Sequence, residues 1–450
     1  MKKQFDKYFL KTYFTLFGVV CIQNLIVFGV NLADSVMLGR YSETAMSGVS
    51  LANQLQFLLQ MLISGTANGL VVLASQYWGK KSLEPIKKIF SVAFYFALGF
   101  SLLLGAVVFF APSGILGILS NETEIVAEGA KYIKIMAFSY AIFAVNSMLI
   151  ALMRSIERVR IGFYNSVAAL FVNIFLNYAL IFGNFGFPEL GVEGAAIATV
   201  IARCVEFIMS VIYVFFYDKR LDMRISDAFK TEKIYFKDFV KSGLPLVGSS
   251  GSWGIAMTIQ TAIMGHLGAA AIGANAVAAP IAQVVTVLYS SSSNASSVLI
   301  GKTVGENDIP RVKKYAKNLQ LIYLATGIIS SLLLLTLRNL LIDIYDISPN
   351  TRALAYTFTT ILAITIIGSS YEAPCLCGIV SGGGDTKFVL KNDLIFMWGI
   401  VLPLAALSAF VFKFPVWVTI FILKSDQILK CAVAVFKVNR FKWIKNLTHD

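Results

Sequence analysis

The chain has little charge for its length and almost no histidine. Only 14% of its 450 residues are Asp, Glu, Lys or Arg, whereas a soluble domain carries about 25%. Two histidines are too few for a metal centre built on imidazole. The five cysteines show no CxxC spacing, which argues against a disulfide framework. With 57% hydrophobic residues and a mean hydropathy of +0.74, the composition indicates an integral membrane protein.

Motifs for catalysis and nucleotide binding are also missing. Gly301-Lys302-Thr303 resembles the end of a phosphate loop, but Ser296 stands where that motif needs its first glycine. The glycine-rich segment 381–387 follows no predicted strand, and we interpret it as a cytoplasmic turn. An intramembrane enzyme therefore fits poorly, and we expect no cofactor. Without a domain for ATP hydrolysis, a transporter of this sequence would take its energy from an ion gradient.

Apolar segments long enough to cross a bilayer, about 20 residues each, recur twelve times. Lys and Arg are concentrated at both ends of the chain and in every second connection, whereas loops 112–126 and 184–191 contain none. This asymmetry predicts that both termini are cytoplasmic. We predict crossings over residues 12–38, 46–76, 89–111, 127–153, 161–183, 192–216, 239–264, 272–300, 317–337, 352–379, 388–411 and 414–437.

The two halves of the sequence repeat one another. At an offset of 226 residues, Gly39 aligns with Gly265, Asn68 with Asn294, and Lys87-Lys88 with Lys313-Lys314. Each half then holds six helices, an even number, so the halves enter the membrane in the same sense. We predict an all-α membrane protein with two six-helix lobes related by a pseudo-two-fold axis along the membrane normal. The lobes span residues 1–217 and 239–450, and residues 218–238 link them on the cytoplasmic membrane surface.

Asp34 is a carboxylate in the first apolar segment. An ionised side chain at membrane depth costs roughly 2.5–3.5 kcal/mol, so it marks an ion or substrate pathway unless it lies in the headgroup region. Asn31 shares its helical face. Asn173 and Asn177 lie one turn apart in the fifth segment and supply carbonyl oxygens. These three residues, Asp34, Asn173 and Asn177, suit either proton binding or a Na⁺ site.

Amides also form stripes in the second and eighth segments. Such side chains can simply join helices, but as a group they favour a hydrated cavity for substrate. The predicted cavity residues are Asn31, Gln60, Asn68, Gln260, Gln283, Asn294 and Glu372. Two opposite-charge pairs, Asp426 with Lys430 and Arg203 with Glu206, are interpreted as structural charges near helix ends.

Several motifs together resemble the multidrug and toxic compound extrusion (MATE) family. They are Ala33-Asp-Ser-Val-Met-Leu-Gly39, Asn173-Ile-Phe-Leu-Asn177, Pro188–Thr199, Leu267–Asn275, Gly382–Lys387 and Lys442–Asn446. The resemblance covers nearly the whole chain. It implies twelve helices in two lobes and a cation-coupled antiporter that exports organic, often cationic, compounds.

The resemblance also implies roles for individual residues. Asp34 matches the helix-one acid that the family uses for cation coupling, Asn173 the helix-five asparagine beside it, and Asn177 a position that is Asp in one bacterial branch. The helix-seven Glu of some members is absent, because residues 252–254 read Ser-Trp-Gly. Glu372 is not in clear register with the helix-ten acid. The amino-terminal lobe is therefore the predicted cation site.

The expected partners are small organic substrates and membrane lipids, not nucleic acid, and we expect a monomer in the cell membrane. The coupling ion stays open between H⁺ and Na⁺. One alternative is a flippase for a lipid-linked precursor, which would need a more basic cavity to hold a pyrophosphate.

Overall fold

The computed structural model describes residues 6–343 and 347–449, and these ranges are mostly helical. The first six predicted crossings each correspond to one long helix. These helices are α1 (Lys7–Tyr41), α2 (Glu43–Lys80), α3 (Leu83–Phe110), α5 (Thr123–Ser155), α6 (Arg160–Phe182) and α7 (Gly191–Ile212), with a short α4 (Pro112–Leu119) after α3. Of these, α1, α2 and α5 run several residues beyond the apolar segments, because their polar first and last turns continue the same hydrogen-bonding pattern.

The second half is more interrupted. Pro374 begins a wider π-helical turn over Pro374–Val380, which fits the loss of a backbone donor at proline. Similar turns divide the eleventh crossing. The helices are α8 (Lys233–Asp238), α9 (Leu244–Gly265), α10 (Ala269–Gly305), α11 (Ile309–Asp343), α12 (Pro349–Ala373), α13 (Thr386–Asp393), α14 (Leu402–Ala406), α15 (Val416–Lys424) and α16 (Asp426–Asn439).

Within residues 6–343 and 347–449, nine helices are long and apolar enough to cross a membrane, and a bent pair within α10, Ala270–Pro280 and Ala282–Gly305, raises the number to ten. Two predicted crossings do not have both the length and the composition of a membrane-spanning helix. The α9 helix is rich in serine and glycine. The α15–α16 segment is divided between Lys424 and Asp426, which leaves two helices of 9 and 14 residues.

The contacts divide the chain into two compact units. The first, which we call the N-terminal unit, contains Val19–Ala74 and Lys81–Val247; the second, the C-terminal unit, contains the described residues within Met1–Gly18, Ser75–Lys80 and Gly248–Asp450. The start of α1 and the end of α2 therefore pack with the second half of the chain. Lobe boundaries at residues 217 and 239 stay a prediction.

The linker packs on α3 of the N-terminal unit. Leu221 and Met223 are buried. The Phe236 ring stacks on Phe96, with centroids 5.8 Å apart, and Phe229 meets Phe94 edge-on at 5.6 Å. Other apolar linker side chains stay exposed, including Ile225 and Ile234, as an amphipathic segment on a membrane surface requires.

The glycine-rich segment 381–387 forms a turn that holds the end of the chain. A Cβ on Gly383 would lie 2.1 Å from the Trp443 ring, so only glycine fits beneath that buried indole. Asp385 forms ion pairs with Lys437 at 2.6 Å and Lys445 at 2.8 Å. These two ammonium groups offset burial and lower the pKa of Asp385.

Candidate cation and substrate cavity

A cavity of about 670 Å³ lies in the N-terminal unit. Its size suits a drug-sized organic molecule, since ligand pockets measure about 300–1,000 Å³. It is lined from α1, α2, α5, α6 and α7 by a mixture of polar and apolar side chains. Its polar and aromatic lining includes Asn31, Asp34, Gln56, Gln60, Tyr132, Phe143, Asn173, Thr199, Arg203 and Glu206.

Asp34 is tied to α6 through its carboxylate. The Asn177 side-chain amide donates from Nδ2 to Asp34 Oδ1 and also to Asn173 Oδ1 at 3.1 Å. The Asn173 amide donates to Thr199 Oγ1 at 3.4 Å, and Thr199 donates to the Ala195 carbonyl at 3.0 Å. A continuous polar chain therefore runs from the carboxylate to the backbone of α7.

Small residues bring α6 and α7 close enough for this chain. The α6 helix ends at Gly183, whose left-handed φ of 68° closes its last turn. A Cβ on Gly194 would lie 2.5 Å from the Leu180 carbonyl oxygen, so any other residue would push the two helices apart. With Asn173 and Asn177 separated by one helical turn, this approach sets both amides between Asp34 and Thr199.

One hydrogen-bond acceptor among Asp34, Asn173 and Asn177 has no partner within the part of the chain that the structure describes. Asn177 Oδ1 is buried and accepts no hydrogen bond from the residues that the structure describes. Buried polar atoms are nearly always hydrogen-bonded, so this oxygen is suited to accept a donor or to bind a cation. Hard cations take oxygen ligands, and the oxygens of Asp34 and Asn177 are of that kind. The predicted residues Asp34, Asn173 and Asn177 thus lie together.

Arg203 and Glu206 project into the same cavity. Arg203 Nη1 donates to Ser139 Oγ at 2.7 Å, and the guanidinium carbon lies 5.0 Å from the centre of the Phe143 ring. Among the described residues, Arg203 and Glu206 do not form the expected close ion pair, although their charges interact electrostatically. In the sequence, Arg203 and Glu206 are recognisable as charged side chains within an apolar span.

Three other residues of the site were also not predicted. Thr199 stands within a family motif but shows no polar periodicity, Tyr132 lies among apolar neighbours on α5, and Ser139 is one of many serines. Contacts between helices bring them to the cavity, and spacing within one helix does not reveal such contacts.

Of the remaining predicted cavity residues, Asn31 and Gln60 line this cavity. Asn68 is half-buried and lies outside the lining. In the C-terminal unit, the buried Gln260 donates to Met397 Sδ at 3.4 Å, and Asn294 donates to the Ser290 carbonyl at 3.0 Å. Gln283 is exposed.

Glu372 belongs to a buried charge cluster of the C-terminal unit. Lys430 Nζ lies 3.0 Å from Asp393 and 3.5 Å from Asp426, so the expected pairing of Asp426 with Lys430 within α16 is present and is shared with Asp393 of α13. Ser249 Oγ donates to the other carboxylate oxygen of Asp393. Glu372 interacts electrostatically with Lys430. Glu372 is therefore near Lys430, a cation of the C-terminal unit.

Comparison with known proteins adds the decisive observation. The family model described as MatE matches residues 20–179 and again residues 249–407. The chain belongs to the MatE family. MATE proteins are membrane transporters and not enzymes, so the expectation of a non-enzymatic integral protein of the plasma membrane is confirmed. The double match also agrees with the internal repeat.

Individual MATE relatives are similar over most of their length. "Uncharacterized transporter YisQ" of Bacillus subtilis is 28% identical over 414 residues, covering 90% of this chain and 89% of that protein. "Probable multidrug resistance protein NorM" of Streptococcus pneumoniae is 25% identical over 400 residues, covering 89% and 87%. "Multidrug resistance protein PmpM" of Pseudomonas aeruginosa is 25% identical over 399 residues, covering 88% and 83%.

Solved structures confirm the predicted fold class. A MATE crystallised in complex with MaL6 matches with a TM-score of 0.85 at 16% identity, covering 96% of this chain and 97% of that one. The Vibrio cholerae MATE transporter VcmN matches with a TM-score of 0.84 at 16% identity, covering 98% of each chain. The twelve-helix, two-lobe layout is therefore that of this family.

Proposed function

We propose that this protein exports organic compounds from the cell in exchange for H⁺ or Na⁺. The observation that carries the proposal is the set around Asp34: a carboxylate that lines the cavity, is held by Asn177, and lies beside a buried amide oxygen without a donor. A cation bound there neutralises the carboxylate.

The relatives support the export of drug-like compounds. NorM of S. pneumoniae and PmpM of P. aeruginosa are named as multidrug resistance proteins, and both align with nearly the whole chain. A 670 Å³ cavity with apolar, amide and aromatic lining suits organic molecules of varied shape, because such a lining requires few specific polar contacts with the bound molecule.

Exchange follows from a shared cavity. Asp34 lies in the lining, so a cationic substrate and the coupling ion both gain from its negative charge. When the cavity opens to the cytoplasm, substrate binding displaces the ion; when it opens to the outside, the ion displaces the substrate. The inward electrochemical gradient of the coupling ion gives this cycle its direction.

A flippase for a lipid-linked precursor gains no support. A pyrophosphate would call for several convergent basic groups, whereas Arg203 is the one basic side chain among the described residues that line this cavity. Two carboxylates, those of Asp34 and Glu206, accompany it. The lining therefore suits a molecule that carries positive charge.

The test is transport by protein reconstituted into liposomes, with proton and Na⁺ gradients imposed separately. Wild type is expected to move a fluorescent organic cation under one of them, and Asp34→Asn, which keeps the shape of the side chain, should show no gradient-driven transport. Glu43→Gln is the matched control, because Glu43 is exposed and lies outside the cavity lining. Transport by Asp34→Asn at the wild-type rate would overturn the proposal.

A further inference from the structure

Arg203 is a cation that lines the cavity and interacts electrostatically with Glu206 and Asp34. One of its five N–H groups donates to Ser139, and the guanidinium makes no ion pair with any residue of the described chain. A charged group at membrane depth is costly and is normally paired. The other N–H groups of Arg203 therefore make no hydrogen bond to the described residues and are available to a bound molecule.

The internal repeat provides a direct comparison. At an offset of 227 residues, Arg203 aligns with Lys430, and each lies in an otherwise apolar span. Lys430 is neutralised by Asp393 and Asp426 at 3.0 and 3.5 Å. A cation that serves only to balance carboxylates is expected to pair in this way. Arg203 lines a cavity with two carboxylates and pairs with neither.

Neighbouring side chains hold the guanidinium in place. The Ser139 hydroxyl and the Phe143 ring hold it from two sides, and the ring face gives cation–π stabilisation. The remaining N–H groups of the guanidinium offer donors to an anion within the cavity.

We propose that Arg203 binds a carboxylate on the transported compound, while Glu206, one turn further along α7, accepts its basic nitrogen. The preferred substrates are then zwitterionic organic molecules and not simple monocations. A planar guanidinium suits this task because it binds a carboxylate through two parallel hydrogen bonds. The cavity is far larger than an inorganic anion, which favours a carboxylate carried on an organic body.

This inference deepens the proposed function, and an equilibrium binding measurement tests it apart from gradient-driven transport. The probes are a rhodamine with a free benzoate group and the methyl ester of the same dye, which share one cationic ring system. Fluorescence polarisation with purified protein gives the two dissociation constants. Hydrogen bonds to charged groups contribute enough for about a tenfold difference, so wild type is expected to bind the free benzoate at least tenfold more tightly.

In Arg203→Gln, that preference should vanish while the affinity for the ester stays within about twofold, since only the carboxylate contact is lost. Arg203→Lys keeps the charge without the planar fork and should retain part of the preference. Glu206→Gln should weaken both dyes alike. Lys134→Gln, which removes an exposed cation of α5 outside the lining, is the matched control and should leave both constants unchanged.

Wild-type protein that binds the ester as tightly as the free benzoate, or binds neither dye, overturns the inference. So does a preference that survives intact in Arg203→Gln. Should that variant be unstable, an unaltered ratio of the two constants in Arg203→Lys overturns it instead, because an ammonium cannot form the paired contact. Loss of transport in Asp34→Asn alone leaves this ratio unaffected and concerns the export function only.

Discussion

Removal of Lys430 should strongly destabilise the C-terminal unit. Its ammonium group lies 3.0 Å from Asp393 and 3.5 Å from Asp426, with only 4% of the side chain exposed. Lys430→Met keeps the length of the side chain but leaves these carboxylates and Glu372 without their cation. Breaking a buried ion pair from one side costs about 3–5 kcal/mol, because the remaining charge stays buried. We expect a loss of that size in the free energy of unfolding.

The measurement is equilibrium unfolding in mixed micelles of a mild detergent and SDS, followed by circular dichroism. Lys391→Met is the matched control, since Lys391 is exposed on α13, and it should change the stability by less than about 0.5 kcal/mol. Adding Asp393→Asn to Lys430→Met should restore part of the loss, because one of the stranded charges is removed. A loss below about 1 kcal/mol in Lys430→Met would refute the reasoning.

Two further predictions concern the ends of helices on the predicted cytoplasmic side. The pKa of Asp385 is lowered from its usual 3.8 by two lysines, Lys437 and Lys445. Above pH 3.8, the free energy of unfolding of wild type should therefore exceed that of Asp385→Asn by about 2 kcal/mol. This difference should disappear as the pH falls through the lowered pKa, and a difference independent of pH contradicts the reasoning. Gly305→Ala should cost about 1–3 kcal/mol, since its Cβ would lie 1.9 Å from the Gln76 carbonyl oxygen. Thermal unfolding of Gly99→Ala is the comparison, because no atom lies within 4 Å of that position, and equal stability of the two variants would contradict the packing.

Patterns within single helices made much of the site predictable. Asp34 was identified by the cost of a charge in an apolar span, and Asn173 and Asn177 by their one-turn spacing, to which the family motifs added roles. The structure brings these three together. Thr199 and Tyr132 could not be found in this way, because they reach the cavity through the close approach of α6, α7 and α5.

The two charged pairs also show that spacing within one helix does not determine which contacts form. Asp426 with Lys430 and Arg203 with Glu206 have similar spacings, four and three residues, and both were interpreted as structural pairs. The first pair forms. The second does not, because both side chains of that pair line a cavity. Sequence separation reports that two residues can meet on a helix, whereas the surrounding helices decide whether they do.

The fold was predictable because twelve apolar segments and an internal repeat leave few alternatives in a membrane. Helix bounds were less so, since the polar ends of α1 and α2 continue as helix after the apolar run stops. The division of contacts within α1, near Gly18, and within α2, near Ser75, has no counterpart in hydropathy. It depends on which neighbours each end of a helix packs against.

The central claim is that Asp34 carries the coupling ion, and the release of that ion on substrate binding tests it most directly. Purified protein in lightly buffered detergent is mixed with a fluorescent organic cation, while a pH indicator records protons and ²³Na resonance records Na⁺. Wild type is expected to release about one ion of one kind for each substrate bound, because both compete for the same charge. Asp34→Asn should bind substrate without releasing either ion. Equal release by wild type and Asp34→Asn would place the coupling ion elsewhere in the protein.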